Sequence, residues 1–98
     1  MNRPRHLKLL NLIVIAVEYE FHETSHLSAR AAERGFSVEQ AVETVKAPSS
    51  VVKNPHDKGN HGGFIRLFFR SYGGKVLVVV AEVRKHECWI ITGYWATR

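Results

Sequence analysis

Ninety-eight residues suffice for one domain with a single modest core and exclude a second lobe. Fourteen Lys and Arg against nine Asp and Glu leave a net charge of +5, which favours a polyanionic partner, nucleic acid first and an acidic protein inhibitor second. The single cysteine, Cys88, excludes an internal disulfide, and its place in an apolar run reads as a buried thiol rather than a nucleophile.

Arg3, Arg5 and Lys8 precede the apolar run Leu9 to Val17, a pattern shared by a leader peptide and a buried strand. The run is too short to span a bilayer as a helix, and no small-residue cleavage site follows it. Val17 to Phe21 instead alternates apolar and charged residues, as a strand does. Residues 1–17 are therefore expected to be an N-terminal strand or extension of one domain over 1–98, whose core occupies 18–95. A protein of this kind is expected in the cytoplasm, or delivered into a target cell, with no membrane partner.

Thr24 or Ser25 offers a hydroxyl to cap a helix that starts near His26 and is closed by Gly35. At about 100° per residue, His26, Arg30 and Arg34 fall within roughly 80° of arc, so one proton-transfer group and two cations share a stripe. Arg34, beside Gly35, also suits the negative end of the helix dipole. Ser37 and Gln40 have the spacing of a capping box, and Val38, Ala41, Val42 and Val45 repeat as one helical face, so a second helix is predicted over 38–46. Pro48 ends it.

Val51 to Lys53 reads as a short edge strand, and Asn54 to Gly63 as a mobile polar loop. Phe64 to Arg70 alternates, with Ile65, Leu67 and Phe69 expected to face the core and Phe64, Arg66, Phe68 and Arg70 expected to face away. Lys75 to Val83 is nearly continuous in apolar residues, as a central strand should be, and Cys88 to Trp95 is the last strand. Turns at Tyr72-Gly73-Gly74 and Arg84 to Glu87 join these three into an antiparallel meander. The expected fold is α+β, with two N-terminal helices packed on an antiparallel sheet of about four strands.

Three groupings carry chemistry. Arg66 and Arg70 interleave with Phe64 and Phe68 on one strand face, where charge can hold phosphates and rings can stack on bases. The alternative is that a helix covers the two phenylalanines, whose burial is worth about 1.5–3 kcal/mol each, and the arginine heads reach past it. Thr92 and Tyr94 place two hydroxyls on the last strand, able to touch a scissile phosphate or a 2′-hydroxyl; alternatively they are a strand former and a core aromatic. Among six histidines there is no His-Glu-x-x-His pattern and no thiolate pair, so neither metal nor cofactor is expected. As general acid or base, a histidine needs only reach and a neutral operating pH; His26 is the best placed, and His61, among the loop glycines, is next. Glu18, Glu20, Glu33, Glu39, Glu43 and Glu82 read as scattered surface acids rather than a catalytic pair.

His26-x-x-x-Arg30-x-x-x-Arg34-Gly35-Phe36-Ser37-Val38-Glu39-Gln40-Ala41 and the closing Ile90-Ile91-Thr92-Gly93-Tyr94 resemble BrnT-like toxins and an allied uncharacterised domain family. Both belong to the barnase, EndoU, colicin and RelE-like superfamily of small toxin-type ribonucleases. The resemblance covers residues 18–95 and implies metal-independent cleavage by attack of a 2′-hydroxyl on the adjacent phosphate. It implies His26 as acid or base, Arg30 and Arg66 as phosphate clamps, Thr92 as a polar contact at the strand end, and Tyr94 beside it. Arg34, Lys53, His61, Phe64, Phe68 and Arg70 complete the expected substrate surface. The expected function is that of a bacterial toxin-type endoribonuclease (a hydrolase of tRNA or mRNA) held in check by an acidic antitoxin or immunity protein. The alternative is a non-catalytic RNA- or protein-binding module of the same fold.

Overall fold

The computed structural model describes residues 18–97, and the strand expected over 1–17 lies outside them. In chain order the elements are β1 (Glu20–Glu23), α1 (Leu27–Arg34), α2 (Val38–Lys46), β2 (Ser50–Lys58), β3 (Phe64–Tyr72), β4 (Lys75–Arg84) and β5 (Glu87–Thr97). The fold is α+β. Its sheet is larger than expected, with five described strands in the order β1-β5-β4-β3-β2. Nor is it purely antiparallel: β2 to β5 form the meander, but β1 runs parallel to β5. A parallel partner must be reached by a long crossover, so no local pattern announces it. Among the described residues no helix is long and apolar enough to cross a membrane.

Both helices owe their ends to local chemistry. Gly35 takes the left-handed conformation (φ 76°, ψ 30°) and its N–H donates to Ala31 O, closing α1. Ser37 Oγ accepts from Gln40 N while Gln40 Oε1 accepts from Ser37 N, each at 3.0 Å, so the capping box opens α2. The start of α1 differs from expectation. Its N-cap residue is His26, with no side-chain cap, because the Thr24 hydroxyl donates instead to Ile90 O at 3.0 Å. Thr24 thus ties the entry of α1 to β5.

Leu27 and Ala31 of α1, Phe36 between the helices, and Ala41 and Val45 of α2 pack on Phe68, Leu77, Val79, Ala81, Val83, Cys88 and Ile90. The register Phe68↔Val79 and Arg66↔Ala81 puts Phe64, Arg66, Phe68 and Arg70 on the helix-covered face. The expected assignment of β3 is therefore inverted: Phe68 is 3% exposed, whereas Ile65, Leu67 and Phe69 are half-buried on the other face. Alternation separates two faces but does not say which one the helices cover, and here both carry apolar residues.

Two irregularities shape the sheet. On β5 the pairing passes from Ile90↔Ala81 to Thr92↔Val80, leaving Ile91 without a partner on β4, a bulge that re-aims its side chain. On β2, Lys53 pairs with Arg66 and Lys58 with Phe64, so residues 54–57 form a wide irregularity opposite Ile65 within the strand. Asn54 organises that stretch, accepting from His56 N at 3.1 Å and donating to Asp57 Oδ2 at 2.8 Å.

Candidate functional site

An open cleft of about 340 Å³ lies where the entry of α1 meets the end of β2 and the turn beyond it. Thr24, Ser25, His26 and Arg30 line one side, and Lys58, Gly59, Asn60 and His61 line another. Its floor is Ile65, Glu82, Trp89 and Ile91. His26 and Arg30 are exposed, one helical turn apart, and the Arg30 N–H donates to His26 O at 3.0 Å. The anchor at Thr24 and the start of α1 therefore place both side chains from rigid backbone.

The opposite wall is built on one buried carboxylate. Glu82, 2% exposed, accepts from His61 N at 2.8 Å and Gly63 N at 2.7 Å through Oε2, and its Oε1 lies 3.0 Å from His61 Nδ1. An ionised carboxylate only accepts, so Nδ1 carries the proton of this bond, and in the neutral ring Nε2 is the nitrogen that keeps its lone pair. The His61 ring lies flat on Trp89, centroids 4.2 Å apart and planes within 5°. A hydrogen bond and a stacking surface thus fix this imidazole while 43% of it stays open to solvent. Burial pushes the Glu82 carboxyl up, but the His61 ring and the Gly63 and His61 amides more than offset it and hold the pKa below its ordinary value.

The segment 59–63 was expected to be mobile, and the structure latches it. Beyond the bonds to Glu82, Gly59 N–H donates to Gly63 O at 2.9 Å. A Cβ at Gly59 would overlap the Glu82 carboxyl, so the turn approaches the acid as closely as it does only because residue 59 is glycine.

Of the residues singled out from the sequence, the cleft unites His26, Arg30 and His61. The others lie elsewhere. Arg34 donates from Nη1 to Thr92 Oγ1 and to Gly93 O, each at 3.0 Å, so Arg34 and Thr92 together strap α1 to β5, outside the cleft. Tyr94 is exposed further along β5. Arg66 sits half-buried on the core-facing side, near the Tyr19 phenol, whose pKa is raised by burial first and Cys88 second, with Arg66 opposing both. Lys53 is exposed and pairs with Arg66 across the strands. Arg70 donates to Ala47 O at 3.2 Å, where α2 ends, and covers the Tyr72 ring. Phe68 belongs to the core, and Phe64 is half-buried with the Lys58 ammonium 5.9 Å above its ring. On this side of β3, Phe68 is therefore spent on packing, while Phe64, Arg66 and Arg70 stay half-buried.

Three contributors to the cleft were missed: Glu82, read as a surface acid, Lys58 and Trp89. A signal for Glu82 existed, because a lone acid inside the apolar run Lys75 to Val83 must find partners or shift its ionisation. Lys58 and Trp89 gave none beyond their residue types. With Arg30 and Lys58 as exposed cations and two imidazoles, the cleft suits a phosphate flanked by groups that give and take protons.

Residues 24–95 match the family described as "Domain of unknown function (DUF4258)". No curated protein matches the chain.

Proposed function

The chain belongs to the DUF4258 family, and from that premise and the cleft's geometry we propose that it is a metal-independent endoribonuclease of the toxin type. The observation that carries the reading is the Glu82-oriented His61 sharing one cleft with His26, Arg30 and Lys58. His61 Nε2 takes the proton of a 2′-hydroxyl as its oxygen bonds to the adjacent phosphorus. His26, in its protonated form, gives a proton to the 5′-oxygen as the bond from phosphorus to that oxygen breaks. The products are a 2′,3′-cyclic phosphate and a free 5′-hydroxyl. Arg30 and Lys58 neutralise the charge that gathers on the non-bridging oxygens, and Ile65, Ile91 and Trp89 give the neighbouring base an apolar floor. Glu82 is a positioning residue that keeps the required tautomer of His61.

Net charge of +5 supports both RNA as substrate and an acidic antitoxin or immunity protein as neutralising partner. The test is incubation of the purified chain with total RNA in EDTA, followed by analysis of product ends. Cyclic phosphate ends that disappear in His61→Ala and His26→Ala support the enzyme. RNA bound but intact points to the binding module, and neither binding nor cleavage overturns both.

A further inference from the structure

We infer that Asn60 is the base-reading residue of the cleft, and that it selects single-stranded RNA with adenine on the 5′ side of the bond to be cleaved. The inference rests on the proposed ribonuclease reaction and goes beyond it by naming the nucleotide.

Asn60 borders the cleft beside Lys58, Gly59 and His61. Its backbone is clamped on both sides: Gly59 N–H donates to Gly63 O at 2.9 Å, and His61 N–H donates to Glu82 Oε2 at 2.8 Å. A turn held in this way presents its exposed side chain from a fixed position. The amide is also uncommitted. Asn54 spends its own amide on His56 N and Asp57, whereas Asn60 makes no side-chain hydrogen bond among the described residues, so its donor and its acceptor are both open to a ligand.

The other polar groups of the cleft have duties that carry no base information. Arg30 and Lys58 meet phosphate oxygens, and contacts to phosphate position a chain without reading it. The Thr24 hydroxyl donates to Ile90 O, and the single hydroxyl of Ser25 suits any base. Ile65, Ile91 and Trp89 favour every base through apolar contact. Because Asn60 directly precedes His61, the base nearest its amide is the one on the ribose whose 2′-hydroxyl His61 deprotonates. An amide sets a donor beside an acceptor, and adenine answers with N7 and its N6 amino group, whereas guanine offers two acceptors on that edge. Reaching the apolar floor requires a base splayed out of any stack, which favours a single strand over a duplex.

The test is anisotropy titration of the full chain with single-stranded 2′-fluoro oligouridylates, which lack the attacking hydroxyl, carrying adenine, cytosine, guanine or uracil at the central position. The all-ribose counterparts are incubated in parallel and their product ends mapped. The expected result is binding at least about fivefold tighter with adenine, and products ending in adenosine 2′,3′-cyclic phosphate. Asn60→Ala should abolish the preference, and Asn60→Asp, which only accepts, should move it towards cytosine. Adenine-selective binding without cleavage overturns the proposed reaction and supports this assignment. Cleavage with no base preference, or a preference that survives Asn60→Ala, overturns the assignment and leaves the reaction standing; a chain that binds none of the oligonucleotides overturns both.

Discussion

Replacing Glu82 with glutamine keeps the shape of the side chain and removes its charge, so it isolates what the buried carboxylate does. Three donors converge on the acid, at 2.7, 2.8 and 3.0 Å. A hydrogen bond to a charged group is worth about 1.5–3 kcal/mol and a neutral one about 0.5–1.5. Neutralisation thus forfeits about 1 kcal/mol per bond, or about 3 in all, while release of a buried charge returns part of that. The net loss is about 1–3 kcal/mol, and at about 4–8 °C per kcal/mol for a domain of this size the melting temperature should fall by about 4–24 °C. The amide group can still accept both backbone N–H bonds through its oxygen, but then presents its NH₂ to His61 Nδ1. His61 must accept there and move its proton to Nε2. The base is lost, and cleavage should drop by as much as about 10⁴, the size of a wrong-tautomer defect. Circular dichroism melts measure the first effect, and long-range ¹H–¹⁵N correlation of the ring nitrogens measures the second. An unchanged melt with Nδ1 still protonated in the variant refutes the reasoning.

The two arginines of α1 should separate function from stability. Arg30→Ala is expected to lower cleavage by about 10²–10³ with little change in the melt, whereas Arg34→Ala loses its bonds to Thr92 and Gly93 and costs about 0.5–1.5 kcal/mol with the rate preserved; parallel assays and urea titrations check both. Because the folded-state pKa of Glu82 lies below its ordinary 4.5, its carboxylate contributes fully above that unfolded value, and the contribution fades as pH falls through the lowered folded value. Stability curves from pH 7 downward should show an acid loss that Glu82→Gln lacks. Burial pushes the Cys88 thiol up to about 12, so a disulfide reagent at pH 8 should label nothing in the native protein and one thiol after denaturation.

The helices were legible because their signals are local. Ser37 with Gln40 and the left-handed Gly35 act within a few residues of themselves, and the periodic Val38, Ala41, Val42 and Val45 need only the helix's own geometry. The meander was equally legible from its glycine turn and β-branched runs. The burial sense of β3 was not, because Phe68 and Phe69 are equally apolar and only the distant helices choose between them. The site divides the same way. His26 and Arg30 share a helix turn, so their spacing exposes them, and His61 stood out among loop glycines. What made His61 a site residue was Glu82, 21 positions away in the chain, whose partners are backbone amides that no residue type reports. Phe68 is buried although its sequence context did not say so, because an aromatic between cations looks alike whether it awaits a base or packs against a helix.

The parallel pairing of β1 with β5 also orders events in time. Thr24, just after β1, bonds to a carbonyl 66 residues further on, so β1 cannot dock until β5 is in place. During synthesis the first described strand emerges early and waits for the last, its backbone groups unmatched and Phe21 uncovered. Closing so long a loop is entropically expensive and slow. Folding should therefore end with β1, and with it the anchoring of α1, so that the cleft assembles only in the final step.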